Sequence, residues 1–196
     1  MLPLALIAAA GAVFAAFKLT TGYDTARIAA ALGLPRAYVQ HAVKWSGRYG
    51  IPLDWILTTI LVESNGNPRA AGDADGRSRG LMQVNVIAHA RELTAAGLSA
   101  EHMYDPAKNI EWGTKYLREF RDNVLRALGG RPLPAALDEI TRLAYKGPST
   151  VLAALRRGEN PLGISWAPPA IARWRNAMVR VRGAMGGVLT TARRVA

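Results

Sequence analysis

The 196-residue chain contains no cysteine, which excludes disulfide scaffolds, thiolate zinc sites and thiol nucleophiles at once. Histidine is scarce as well. His41, His89 and His102 are the three present, and none of their separations is a short metal-ligand spacing, so neither a metal nor another cofactor is expected. No stretch alternates apolar and polar residues over five positions, which argues against extended strands, and no internal repeat is visible. Aromatic residues make up 7% of the chain. Against these shortages, 50% of the residues are apolar and 20% charged, a balance that supports a buried core rather than disorder. The length suits one compact domain with terminal additions.

Acids are the other shortage. There are 14 against 25 Lys and Arg, a net charge of +11, which favours polyanionic partners or an anionic envelope surface. The surplus is uneven: residues 156–196 carry eight Arg and one acid, Glu159, or +7, while the other 155 residues carry +4. At the opposite end, residues 2–17 are an uncharged run of apolar and small residues that stops at Lys18. As a helix it would be about 24 Å long, short of the ~30 Å hydrocarbon core. No Lys or Arg precedes it, so the basic start of a secretory signal is missing. With the first charge on its C-terminal side, the positive-inside rule leaves the rest of the chain in the cytoplasm. A membrane-inserting or assembly-packed helix, a signal or anchor, and a core helix all remain open for it.

The remaining pattern is helical. Periodicity and breakers predict helices over 23–32, 35–49, 51–63, 80–96, 107–128, 134–145, 149–157 and 169–185, with a loop at 65–79. Asp105-Pro106 is a strong start signal, Asp as N-cap and Pro at the first helical position. The expected fold class is therefore all-α, with at most a small hairpin in the loop. Three parts are expected: an apolar N-terminal helix at 1–20, a central domain at 21–160 and a basic amphipathic extension at 161–196. In the extension Ile171, Trp174, Met178, Val181 and Met185 form a stripe, with Arg173, Arg175, Arg180 and Arg182 on the other faces. Such a helix can dock on the core or lie against an anionic envelope or an assembly.

Chemistry concentrates after the third helix. Trp55, Thr59 and Glu63 stand at i, i+4 and i+8 on one face. A carboxylate on an apolar stripe is either paired or desolvated, and desolvation is what turns a carboxyl into a proton donor near neutral pH. A surface Glu at a fraying helix end is the plain alternative. Glu63-Ser64, a Gly- and Asp-rich loop, and then Gly80-Leu81-Met82-Gln83 resemble the lytic transglycosylase (SLT) domain, a lysozyme-like family that cleaves peptidoglycan glycan strands. Two further stations follow in the family's order. They are Asn109-Ile110 with Gly113 and Tyr116-Leu117, and Ala144-Tyr145-Lys146-Gly147, where Lys replaces the usual Asn. The resemblance runs over residues 39–157.

The resemblance implies that Glu63 protonates the oxygen between N-acetylmuramic acid and N-acetylglucosamine, then takes the proton of the muramic C6 hydroxyl as a 1,6-anhydro ring closes. The substrate's own acetamido group can act as the internal nucleophile. It further implies that Ser64 orients Glu63 or the acetamido group, that Gly80 lets backbone approach a sugar, that Met82 and Gln83 line the cleft, and that Tyr145 places its hydroxyl near Glu63. Met82 could equally fill the core, and Asn109 could be a buried hydrogen-bonder rather than a substrate contact. Asp73 and Asp75 read as turn formers; if either faced Glu63 across a water-sized gap, the site would hydrolyse like a goose-type lysozyme instead.

Peptidoglycan strands are thus the expected partner, met in the periplasm or cell wall. The expected setting is a phage virion component that opens the wall during genome entry. The alternative is a bacterial envelope enzyme anchored at the membrane or serving a secretion machine. A rival class is DNA binding, since Ala29, Gly33 and Val39 have helix-turn-helix spacing. The second helix there offers few base-reading side chains, Arg36 and Gln40, so no specific nucleic acid is expected.

Overall fold

The computed structural model describes residues 22–72 and 76–192; the expected helix at 1–20 and the loop acids Asp73 and Asp75 lie outside them. The elements, in order, are α1 (Thr25–Leu32), α2 (Arg36–Tyr49), α3 (Leu53–Ser64), strands β1 (Ala71–Gly72), β2 (Ser78–Arg79) and β3 (Val84–Asn85), α4 (Ala90–Ala95), a 3₁₀ turn at Ala100–Tyr104, α5 (Pro106–Leu128), α6 (Leu137–Lys146), α7 (Pro148–Arg156), a 3₁₀ turn at Pro161–Gly163, and α8 (Ala167–Ala192). The fold class is all-α apart from a small antiparallel sheet of order β1-β2-β3. Ala71 pairs with Arg79, and Ser78 with Asn85.

Local chemistry sets the helix starts. Asp24 caps α1 by accepting the Arg27 N–H at 3.0 Å, and Asp105 caps α5 by accepting the Lys108 N–H at 2.9 Å, with Pro106 at the first helical position. Helix α3 is apolar almost all round, and Leu53 with every residue from Trp55 to Leu61 is buried. A helix of that kind has to sit in the middle of its domain. Its two threonines are satisfied there: the Thr59 hydroxyl donates to the Trp55 carbonyl at 2.8 Å, and the Thr58 hydroxyl lies 3.5 Å from Met178 Sδ.

The long α8 runs antiparallel to α3. Arg182 binds Asp54 at 2.9 Å near the start of α3, Met178 meets Thr58 halfway, and Trp174 packs in the same core. Ile171, Trp174, Met178 and Val181 are buried, and Met185 packs beside them. The basic helix past residue 160 therefore shares its core with the helices before it. Helices α1 and α2, bent at Gly33-Leu34-Pro35, pack on α8 and α5 respectively.

One expected element is absent. Residues 80–96 form a turn, strand β3 and the short α4 instead of one helix. Gly80 (φ +75°) and Gln83 (φ +50°) are left-handed, which a right-handed helix cannot hold. The Met82 N–H, which a helix would need, donates instead to Asn109 Oδ1 at 2.7 Å. The sheet consequently has three strands rather than a hairpin's two.

Candidate active site

Glu63 stands one residue from the C-terminal end of α3, where the central helix emerges from the core. It lines a cavity of about 510 Å³ together with Gly72, Ser78, Gln83, Asn85, His89, Tyr116, Arg142, Tyr145, Lys146 and Arg173. The sheet forms one wall and helices α5, α6 and α8 the others. The cavity surface is more polar than apolar, as suits a ligand rich in hydroxyl and amide groups.

Of the two states open to a carboxylate on an apolar stripe, Glu63 is in the paired one. Its Oε1 accepts a hydrogen bond from Arg142 Nη1 in an ion pair whose side chains are 19% and 5% exposed. Among the described residues no hydrogen bond reaches Glu63 Oε2, and Arg142 Nε is buried without an acceptor. Arg142 did not stand out in the sequence, since nothing local ties residue 142 to residue 63. The available signal was its spacing: Arg142 and Tyr145, at i and i+3, share a face of α6.

Tyr145 lies in the same wall, but its hydroxyl donates to the Met82 carbonyl at 2.7 Å rather than to Glu63. Burial pushes its pKa well above the usual phenol range; the Glu63 charge adds to that and Arg142 opposes it. The phenol therefore stays a neutral donor at any ordinary pH. Phe120 holds the ring edge-on at 5.6 Å. Gln83 lines the cavity while its Nε2 donates to the carbonyls of Gly80 and Ala70 at 2.8 and 3.0 Å. His89 stacks on Tyr116 with centroids 3.5 Å apart; burial lowers its pKa, Glu92 counters, and Lys115 lowers it further.

The other predicted site residues stand behind this wall. Asn109 is fully buried. Its Nδ2 donates to the Met103 and Arg79 carbonyls at 2.7 and 2.8 Å, and its Oδ1 takes the Met82 N–H. Gly80 is left-handed, and a Cβ there would overlap the Met103 carbonyl and the Asn109 amide. Within the domain, the close approach it permits is to Asn109 and the Met103 carbonyl. The Met82 side chain is fully buried and packs on Gly113 of α5, where a Cβ would collide with it. It fills the core and does not line the cavity. The Ser64 hydroxyl donates to the Leu81 carbonyl at 2.8 Å and accepts the Gly66 N–H at 3.2 Å, which ties the end of α3 to the turn instead of orienting Glu63. Asp73 and Asp75 fall outside the described residues, between Gly72 and Ser78 of the cavity wall.

An all-α domain with a small three-stranded sheet, an acid at the end of its central helix and a polar cavity beside it has the lysozyme-like fold. Residues 40–136 match the family model of the transglycosylase SLT domain. Among curated proteins it is similar to membrane-bound lytic murein transglycosylase C of Actinobacillus pleuropneumoniae serotype 5b, at 33% identity over 120 residues, 59% of this chain and 30% of that protein. The protein of that name from Sodalis glossinidius is 31% identical over 129 residues, 63% of this chain and 35% of its own length. The one from Histophilus somni strain 2336 is 39% identical over 87 residues, 42% of this chain and 23% of its own. The chain thus spans about a third or less of the length of these relatives. The family match ends at residue 136, ahead of Arg142, Tyr145, Lys146 and Arg173.

Proposed function

We propose that this chain is a peptidoglycan lytic transglycosylase with Glu63 as its acid and base. The observation that carries the reading is Glu63 at the end of the buried α3, in the wall of a polar cavity within an SLT domain. Glu63 passes a proton to the bridging oxygen as the bond to the muramic C1 breaks. The muramic acetamido oxygen attacks C1 and shares the positive charge that develops there. The C6 hydroxyl then displaces it, its proton returns to Glu63, and the 1,6-anhydro ring closes without water. Glu63 is the one carboxylate among the described residues of the cavity wall. Tyr145 and Gln83 shape the cleft, while Asn109, Gly80, Met82 and Ser64 hold the turn that carries Gln83.

Mass spectrometry of digested sacculi tests this directly. Anhydro-muropeptides are expected; reducing-end products, heavier by one water, would assign a goose-type hydrolysis instead. Glu63→Gln should cut turnover by about 10²–10⁴-fold. The glutamine oxygen can still accept from Arg142, so the fold should persist. Full activity in that variant overturns the assignment. The setting stays as the sequence suggests, a virion component or an envelope-anchored enzyme, and detection of the chain in purified particles as against membrane fractions decides between them.

A further inference from the structure

The cavity has a cationic side that the cleavage chemistry does not use. Arg142 and Lys146 on α6 and Arg173 on α8 line it opposite the sheet, and Glu63 is the only described carboxylate there to balance them. Arg142 is 4% exposed, lies in the wall, and has a buried Nε with no acceptor. A guanidinium presents five donors and is usually engaged on both edges when buried; this one spends Nη1 on Glu63 and leaves Nε buried without an acceptor, a deficit that a shift of the side chain toward a bound acceptor would remove. Lys146 and Arg173 are exposed, and among the described residues neither enters an ion pair. Arg175 and Arg182 on the same helix are spent on Glu139 and Asp54. All three cavity cations lie past residue 136, where the family match ends.

We propose that Arg142, Lys146 and Arg173 form a carboxylate-reading wall that selects glycan strands whose muramoyl side chains keep free carboxylates, with Arg142 as the positioning residue that links recognition to Glu63. This inference rests on the transglycosylase reading and adds the substrate's charge to it. Lys146 and Arg173 attract the carboxylate at the rim, and Arg142, whose Nε is buried at rest, turns its guanidinium from Glu63 toward it. The guanidinium then shares its donors between substrate and Glu63, so the acid is released from its resting partner when a charged strand is in place. The carboxylate can be the lactyl group of peptide-free muramic acid or an acid of the stem peptide.

The test compares kcat/KM of the full chain on three strand preparations: peptide-free glycan with free lactyl carboxylates, peptide-bearing glycan with free stem acids, and the same peptide-bearing glycan after chemical amidation. At least one charged preparation should be favoured over the amidated one by about tenfold, mainly through KM, as expected for a charge-assisted contact. Preference for the peptide-free form alone assigns the lactyl source, preference for the peptide form alone assigns the stem, and preference for both shows that either acid is read. The double variant Lys146→Gln/Arg173→Gln, at exposed positions, should bring the ratio close to one. Arg142→Gln should do the same and lower kcat as well. Equal rates on all three preparations, or an undiminished ratio in the folded double variant, overturn the inference while leaving the transglycosylase reading intact. No cleavage of any strand overturns both.

Discussion

Asn109 joins three pieces of chain that are far apart in sequence: the Met82 amide, the Arg79 carbonyl and the Met103 carbonyl. All three contacts are made by a side chain with no solvent exposure, so its removal leaves buried backbone groups unpaired at ~1–3 kcal/mol each. Asn109→Ala should therefore destabilise the domain by about 3–5 kcal/mol in urea unfolding. A loss below ~1 kcal/mol would mean that water replaces the amide. His89 gives a pH signature of opposite origin. Burial holds its pKa below 6.5, so the unfolded chain binds more protons than the folded one between the lowered value and 6.5. Stability consequently rises with pH through that window, and the penalty is fully present below it. Replacing His89 with Gln should flatten the acid side of the Tm against pH curve, with the neighbouring Glu92 and Lys115 unchanged. At this scale the sequence was informative in part. The i, i+4, i+8 spacing put Glu63 on an apolar face, but its ion-pair partner lies 79 positions away, and such a long-range pairing leaves no trace in a local window.

Among the elements, α8 has the strongest claim to be structural. Trp174 is 1% exposed, and its indole N–H donates to Asp138 Oδ2 at 3.1 Å. Trp174→Ala should cost about 3–5 kcal/mol through the cavity and the stranded carboxylate, read as a lower urea midpoint with the same m value. If the helix were a loosely attached extension, the midpoint would barely move. Its docking stripe was legible, because Ile171, Trp174, Met178 and Val181 recur at helical spacing and all four are buried. The start of α5 was legible for the same local reason, through Asp105 and Pro106. Residues 80–96 were not: their apolar spacing fits a helix, and what prevents one is the left-handed backbone at Gly80 and Gln83 together with the Asn109 clamp from α5. Tertiary hydrogen bonds there override periodicity.

For the whole molecule the dominant quantity is the net charge of +11. Attraction of that kind is screened over about 10 Å at 0.1 M salt and about 3 Å at 1 M. Co-sedimentation of the Glu63→Gln variant with intact sacculi should accordingly fall steeply as NaCl rises from about 0.05 to 0.5 M. Binding that is indifferent to salt would assign retention to the sugar contacts alone. The antiparallel pairing of α3 with α8 also has a practical use. Both helices span the domain from the cavity to its far side, and the stretch from Arg173 to Met185 alone is about 18 Å of rigid rod at 1.5 Å per residue. A bead or fluorophore anchored beyond that distal end would hold the enzyme by its back, leaving the groove turned outward toward a tethered glycan.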